Sequence, residues 1–310
     1  MTRRATAKAG RAMAVAALTA LVLLPGCSKP SATPTREQRD APSHSVIPRR
    51  IVSMNPCVDA ILREVADPAQ IAAISHYSHD PRASSVPADW AQRYAAVGDT
   101  AEDVLSARPD LVIAGPHIAP DTLSALQRMG VPVLSTRVPA TVAESAAQIA
   151  EIAARIGQLD KGRALTHRIT HALAQARGAP SAYAGSGPYA LIWQDSGLVP
   201  GPGTLVDDLL REAGFRSASA QMGLTQWNMV STEQILLSPP DIVMTGAAGM
   251  ATGTGGSNAM LANRVLHKAR ARIMTAVFPS RLLHCGGPTI IEASARLADI
   301  RAQWQRRQGA

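Results

Sequence analysis

The sequence has few aromatic residues, few cysteines and no common nucleotide-binding or hydrolase motif. Aromatic side chains make up 3% of its 310 residues, and there are 3 cysteines. The glycine-rich stretch 246–256 lacks the Gly-Lys-Ser/Thr of a phosphate-binding loop and does not match G-x-G-x-x-G. Neither a nucleophile elbow nor an ordered Ser/His/Asp set is present. The sequence therefore does not favour an enzyme, and a secreted hydrolase stays only as a minor alternative.

The positive charge of the chain is partly confined to its first residues. The formal net charge is +8, and four of the cations lie within residues 1–26, which contain no acid. Removal of that segment would leave a formal net charge of +4 on the rest of the chain. The remaining cations are scattered and form no basic stripe, so we predict no nucleic-acid partner.

The N-terminus has the organisation of an export signal. Four basic residues precede an apolar run from Met13 to Leu24, which is too short to span a bilayer as a helix. The sequence Leu24-Pro25-Gly26-Cys27 at the end of the run resembles a bacterial lipobox. We therefore expect a signal peptide over 1–26, lipidation at Cys27 and a flexible tether over 27–48. Ordinary cleavage that leaves Cys27 unmodified is the alternative.

Two segments of the chain repeat one pattern. Residues 100–115 (TAEDVLSARPDLVIAG) align with residues 231–246 (STEQILLSPPDIVMTG), which pairs Glu102 with Glu233. A second echo relates VDAILRE at 58–64 to VDDLLRE at 206–212. Two copies at one large offset indicate a duplicated lobe, and so a two-lobed molecule with a cleft.

Each copy alternates short apolar runs with helical patterns, which predicts an α/β fold with parallel sheets covered on both faces. Between the copies, apolar residues at helical spacing predict two helices, the second over about 160–177. This long helix would act as a rigid spacer. We expect an N-terminal lobe over 49–140, linker helices over 141–180 and a C-terminal lobe over 181–310.

The order of these motifs resembles one protein family. RIVS before a helix, IAAISHYSHDP, VGDTAEDVLSARPDLVIAG, LQRMGVPVL and GPGTLVDDLLREAG together look like the periplasmic solute-binding proteins of ABC importers for cobalamin, ferric siderophores and haem. The resemblance covers about residues 48–305. It implies two Rossmann-like lobes joined by one long α-helix, with ligand bound in the cleft between the lobes. It also implies a monomer without a cofactor of its own, which delivers a metal chelate to a permease dimer.

In that family, one exposed glutamate on each lobe docks into arginine pockets of the permease. The resemblance places this role on Glu102 and Glu233. A carboxylate in the first turn of a helix is favoured by the helix dipole, and two paired points fix orientation on a two-fold partner. The alternative is that both acids are helix N-terminal residues preserved from the duplication.

Candidate ligand contacts follow from the rule that ligands bind beyond the carboxyl ends of parallel strands. Because aromatic residues are rare, a tyrosine and two tryptophans near predicted loops suggest contact with a flat ligand. Core packing is the alternative for each of them. For Trp193 the sequence favours neither ligand contact nor core packing. The candidate ligand-binding residues are Cys57, His76, Tyr77, Ser78, His117, Trp193, Gln194, Gly201, Gly203, Trp227, His284 and Cys285.

The loop histidines and the two remaining cysteines leave alternatives open. A single loop histidine is more often a hydrogen-bonding residue than a metal ligand, so we predict no metal site. Cys57 and Cys285 could form a disulfide that clamps the lobes or could contact ligand as free thiols. Among ligands, a corrinoid is favoured over a ferric siderophore, with haem or a free metal ion as further alternatives.

Overall fold

The structure is a computed structural model that describes residues 47–81, 83–177, 187–194, 197–246 and 271–309. The predicted signal peptide, Cys27, nearly all of the tether and most of the glycine-rich stretch lie outside these residues. Among the described helices, none combines the length and the apolar character needed to cross a bilayer.

The first lobe is built on a parallel sheet with the strand order β3-β2-β1-β4-β5. Its strands are β1 (Ile51–Ser53), β2 (Ile71–Ser75), β3 (Ala95–Val97), β4 (Leu111–Ala114) and β5 (Val133–Ser135). The central strands β1 and β4 are buried along their whole length. Because both faces of the sheet are covered, these strands read as continuous apolar runs rather than alternating ones.

Four helices connect these strands: α1 (Pro56–Val65), α2 (Ala88–Ala91), α3 (Ala101–Ser106) and α4 (Pro120–Arg128). Helix α1 begins where the side-chain oxygen of Asn55 accepts a hydrogen bond of 2.8 Å from the backbone N–H of Cys57. Such a cap satisfies one of the free N–H groups of the first turn and fixes the point at which the chain leaves β1.

Two helices, α5 (Val142–Arg155) and α6 (Leu159–Arg177), lie between the lobes in sequence. The hydroxyl of Thr141 accepts from the N–H of Glu144 at 3.0 Å and caps α5. Helix α6 has 19 residues, about 28 Å at 1.5 Å per residue. It buries Leu165, Ile169 and Leu173, and it packs against α5 and the C-terminal helix. The prediction of one long helix that joins the lobes is confirmed.

The described part of the second lobe repeats the plan of a parallel sheet with helices. Its strands are β6 (Tyr189–Ile192), β7 (Leu198–Pro200), β8 (Arg216–Ser217), β9 (Trp227–Met229), β10 (Ile242–Thr245) and β11 (Met274–Val277). The described strands form a parallel sheet in the order β11-β10-β6-β8 and a separate antiparallel pair, β7 with β9. The helices are α7 (Leu205–Glu212), α8 (Ala218–Gln221), α9 (Thr232–Leu237) and α10 (Thr289–Gln308).

The repeated Pro-Asp dipeptide has the same structural role in both lobes. The carboxylate of Asp110 accepts the backbone N–H groups of Arg49 and Arg50 at 2.7 and 2.8 Å, just before β1. The carboxylate of Asp241 accepts the N–H of Tyr189 at 2.8 Å, at the start of β6. Each aspartate thus aligns the first strand of its lobe with the neighbouring strand. The α/β fold with two Rossmann-like lobes is confirmed.

The second echo places a buried aspartate on the first helix of each lobe. Asp59 on α1 accepts the N–H of Ser75 at 3.1 Å and the hydroxyl of Ser78 at 2.6 Å. Asp207 on α7 accepts the hydroxyl of Ser217 and, at 3.2 Å, the guanidinium of Arg211. Burial raises the pKa of Asp59 to about 7, an effect that its hydrogen bonds with serine side chains and the N–H of Ser75 oppose.

One hydrophobic core continues through both lobes. Ile61 on α1, Leu165 on α6 and Leu297 on α10 belong to the same buried cluster and are at most 1% exposed. Because separating the lobes would expose this shared apolar surface to water, large hinge motions are disfavoured.

Candidate functional site

A cavity of about 640 Å³ lies between the lobes. Its lining comes from the start of α1 and the segment 136–140 after β5 in the first lobe, and from the start of α7, the start of β9 and the segment 283–286 in the second. The start of α1 and the segment 136–140 follow the carboxyl ends of parallel strands, where ligands bind in open α/β sheets. The start of α7 and the start of β9 belong to the region of the antiparallel β7–β9 pair. The volume lies within the range of small-molecule sites, about 300–1,000 Å³.

The structure brings half of the predicted ligand-binding residues together at this cavity. They come from both lobes and from segments far apart in sequence. The six that line the cavity are Cys57, Gln194, Gly203, Trp227, His284 and Cys285. The other six, His76, Tyr77, Ser78, His117, Trp193 and Gly201, are not among its lining residues.

The polar segment after β2 forms a short 3-10 helix, His76–His79, rather than an extended loop. A ring nitrogen of His76 lies 3.1 Å from the carbonyl oxygen of Val97, and its ring packs 4.0 Å from that of Tyr77. Ser78 is buried and donates to Asp59. These contacts tie the segment to its own lobe.

The remaining three residues have other surroundings. Trp193 is 5% exposed, packs in the core of the second lobe and donates its indole N–H to the carbonyl of Val230 at 2.8 Å. Trp193 is therefore a core residue of the second lobe. Gly201 donates its N–H to the carbonyl of Gln226 at 2.7 Å, and His117 is exposed.

Cys57 and Cys285 form a disulfide between the lobes. Their Cα atoms are 5.1 Å apart, and 228 residues of sequence separate them. Of the two alternatives for these cysteines, the structure therefore has the disulfide and not the free thiols. Both residues line the cavity, so the bond joins its two walls.

Apolar side chains make up part of the exposed lining of the cavity. Trp227 from the second lobe is 43% exposed, and Val138 from the first lobe is 69% exposed. Cys285, by contrast, is 6% exposed. We refer to Trp227 and Val138 as the rim and to the disulfide as the inner side. Apolar surface left open at a cavity mouth is typical of a ligand contact.

The wall beside Trp227 is held in an uncommon backbone conformation. Gln226 has φ 56°, a left-handed value that is rare for residues other than glycine. Its side chain packs over Gly203, which has φ 91° and no room for a Cβ atom next to the Gln226 amide. Backbone strain of this kind clusters at ligand sites.

The sequence reasoning missed the segment 136–140 of the first lobe. Thr136, Arg137 and Val138 line the cavity directly after β5. The strand-end rule applies to them, because the apolar run Val131–Ser135 that precedes them is typical of a buried strand. Gln148 on α5, which also lines the cavity, carried no such signal.

The cavity has little charge. Partial burial lowers the pKa of His284 from its ordinary value, which favours the neutral imidazole. Among the described lining residues, the only side chain with a full charge at pH 7 is Arg137.

No group of three or more His, Cys, Asp or Glu side chains suited to a metal ion is found in the described part of the chain. Two histidines do share a helix face: His167 and His171 on α6 have nearly parallel rings 6.5 Å apart. Both are exposed and neither lines the cavity.

Glu102 and Glu233 occupy equivalent positions in the first turns of α3 and α9, and both are exposed. Each helix is capped in the same way. The hydroxyl of Thr100 accepts from the N–H of Asp103 at 3.1 Å, and that of Ser231 accepts from the N–H of Gln234 at 3.3 Å. The backbone N–H of Glu233 itself, and then the Ser231 side chain, lower the pKa of its carboxyl.

The model of the family described as "Periplasmic binding protein" matches residues 51–285, which is most of the chain. The chain belongs to this family. Its members are binding proteins, and the family name places them in the periplasm. The matched segment contains both cysteines of the disulfide and every described residue that lines the cavity except Gly286.

Individual relatives agree with this assignment. A "Cobalamin-binding protein" of Halobacterium salinarum is 23% identical over 261 residues, which are 81% of this chain and 69% of that protein. The structure of the periplasmic heme-binding protein BhuT in complex with two hemes is 26% identical with a TM-score of 0.63, over 81% of this chain and 98% of that one. The periplasmic vitamin B12 binding protein BtuF of Vibrio cholerae is 18% identical with a TM-score of 0.62, over 84% of this chain and 99% of that one, and shares the fold.

Proposed function

We propose that this protein is the substrate-binding component of an ABC importer and that it binds a corrinoid in the cavity between its lobes. The observation that carries the proposal is the alignment of 81% of the chain with a cobalamin-binding protein. The cavity supports it, since its lining comes from both lobes and combines exposed apolar side chains with several polar groups, as small-molecule sites do.

The disulfide and the shared core support a preformed site. Because the Cys57–Cys285 bond and the continuous core hold the lobes together, little ordering free energy has to be spent on binding. Preorganisation of this kind favours capture of a dilute solute.

We propose that Glu102 and Glu233 dock on a permease dimer in the inner membrane. Both carboxylates are exposed, and both occupy the same position of a repeated helix whose N-cap hydroxyl accepts a backbone N–H three residues on. Two like anionic points suit a partner with two-fold symmetry and arginine at each contact. The protein would act as a monomer in this role.

We also propose that residues 1–26 are removed on export, that Cys27 carries a lipid anchor and that residues 27–48 tether the binding domain to a membrane. The lipobox-like sequence before Cys27 supports the anchor. The lobes would then extend over 49–140 and 181–310, with the linker helices over 141–180.

Haem is the second candidate ligand. The structure of BhuT with two hemes is 26% identical to this chain, slightly more than the cobalamin-binding relative. A flat metal macrocycle is common to haem and corrinoids, so the apolar rim suits either. A ferric siderophore is the third candidate ligand.

The test is a titration of intrinsic tryptophan fluorescence with cyanocobalamin, haem and a panel of ferric siderophores. Trp227 lines the cavity, so ligand contact would quench its emission. We expect saturable binding of cyanocobalamin in the micromolar range or tighter. Tighter binding of haem or of one siderophore would replace the corrinoid assignment, and no binding across the panel would contradict the proposed ligand class.

A further inference from the structure

The cavity contains a single fully charged side chain among its described lining residues, and the charge is positive. We infer that Arg137 selects ligands with an anionic group, a carboxylate or a phosphodiester, at the edge of the macrocycle. This inference rests on the proposed function and narrows its ligand class by charge.

The backbone of Arg137 is fixed on both sides. Immediately before it, the N–H and the hydroxyl of Thr136 both donate to the carbonyl of Ala114, at 2.8 and 3.0 Å. The carbonyl of Arg137 itself accepts from the side-chain amide of Gln148 on α5 at 2.7 Å. The base of the arginine side chain is therefore held in place at the cavity wall, which lowers the entropy lost when it binds an anion.

The guanidinium of Arg137, in contrast, has no partner within the described residues. Its side chain is exposed, and no ion pair or side-chain hydrogen bond joins it to them. Some other arginines are paired, since Arg168 lies 2.7 Å from Glu64 and Arg281 forms two hydrogen bonds with Glu292, and what distinguishes Arg137 is that its unpaired guanidinium belongs to the cavity lining. An unpaired guanidinium at a ligand cavity is available for a bidentate contact with a carboxylate or phosphate.

The rest of the described lining does not neutralise this charge or add to it. It contains no aspartate or glutamate, and partial burial favours the neutral imidazole of His284 by lowering its pKa. The amides nearby have other roles, since Gln148 holds the Arg137 carbonyl and Asn55 caps α1. The cavity therefore favours one anionic group over a neutral or cationic one.

The test compares ligand pairs in which one member carries an anionic group that the other lacks. Haem and its dimethyl ester differ only in the charge of the two propionates, whereas dicyanocobinamide lacks the phosphodiester of cyanocobalamin together with the attached ribose and benzimidazole. Affinities for all four compounds are measured by isothermal calorimetry at low and high salt. The variants are Arg137→Gln and Arg137→Lys. Arg128→Gln, which removes an exposed arginine of α4 outside the cavity, is the matched control.

We expect Arg137→Gln to weaken binding of the anionic member of the recognised pair about tenfold and to reduce the salt dependence of its affinity. Binding of the neutral member should not change. Arg137→Lys should retain most of the affinity, and Arg128→Gln all of it.

Two results would overturn the inference. One is unchanged affinity of Arg137→Gln for the anionic compound, and the other is an equal loss for both members of a pair, which would indicate a structural role. Either leaves the proposed function intact, because the unaltered protein still binds. An unaltered protein that binds none of the four compounds would contradict the corrinoid and haem assignments, and this inference with them.

Discussion

Cys57 at the start of α1 and Cys285 shortly before α10 are bonded across the two lobes. Each cysteine lies at the cavity, so one covalent bond connects the two halves of the duplicated fold where the ligand is proposed to bind. The bond closes a loop of 228 residues, which strongly restricts the unfolded chain.

Replacing both cysteines should therefore destabilise the protein. We expect the Cys57→Ser/Cys285→Ser variant to lose about 2–5 kcal/mol of unfolding free energy, measured by urea denaturation. The unaltered protein with reductant should behave like the variant, and the variant should be insensitive to reductant. Two titratable thiols in the unreduced, unfolded protein without its N-terminal segment would contradict the disulfide.

Asp59 should make stability depend on pH. Burial raises the pKa of its carboxyl from the ordinary 3.8 to about 7, so between these values the folded state holds a proton that the unfolded state releases. Its contribution is full below about pH 4 and is lost as the pH rises through 7. We expect a loss of about 2–4 kcal/mol between pH 4 and pH 8.

The neutral variant Asp59→Asn provides the comparison. An amide oxygen can still accept the N–H of Ser75 and the hydroxyl of Ser78. Chemical denaturation at several pH values should show a shallower decline for the variant than for the unaltered protein. Parallel curves over pH 4–8 would show that Asp59 does not hold this proton.

Trp227 should contribute to ligand affinity through its exposed ring. We expect Trp227→Ala to weaken corrinoid binding by about 1–2 kcal/mol, or about tenfold in Kd, because the ligand loses an apolar contact. Calorimetry is the suitable measurement, since the substitution removes a fluorophore. Trp304→Phe on α10 is the control, as this residue does not line the cavity. Equal affinity of Trp227→Ala and the unaltered protein would exclude Trp227 from the ligand contact.

The two glutamates should matter for transport and not for ligand binding. We expect Glu102→Ala/Glu233→Ala to abolish most ligand uptake by proteoliposomes that contain the cognate importer, with an unchanged Kd for the ligand. Each single variant should show a partial effect. Asp103→Ala, which removes a neighbouring acid on α3, is the control. Full transport by the double variant would mean that the glutamates do not dock on the permease and are only N-terminal residues of their helices.

Cys27 should decide whether the exported protein is attached to a membrane. In cells that process lipoproteins, we expect the unaltered protein in the membrane fraction and Cys27→Ser in the soluble periplasmic fraction. The mass of the mature N-terminus should show a diacylglyceryl group on Cys27. Identical fractionation of both proteins, with an unmodified N-terminus, would favour ordinary cleavage.

The central strands could be predicted from the sequence because their signal is local. The apolar runs Ile71–Ser75 and Leu111–Ala114 are strands with those bounds in the structure, since buried parallel strands are short apolar runs. The edge strand β3 was missed because its Ala-Ala-Val has neither alternation nor length. The β7–β9 pair was also missed, because residues at 198–200 and 227–229 are brought together only by the tertiary fold.

The candidate site could be predicted less completely, and for a physical reason. Strand ends identify which loops lie at one edge of a sheet, and this rule found Gln194, Gly203 and Trp227. It could not tell which loops face the other lobe, because the relative placement of two lobes depends on packing between them. The sequence therefore could not decide whether Trp193 lies in the core or in the cleft, or whether Cys57 and Cys285 are bonded.

The disulfide between Cys57 and Cys285 has a consequence for how a bound molecule leaves the cavity. With Cys57 and Cys285 joined, the walls of the cavity cannot part evenly, so any widening is a rotation about that bond as a pivot. The displacement is smallest at the pivot and grows with distance from it. We therefore expect a permease that acts on both lobes to move the cavity segments far from the bond more than those beside it.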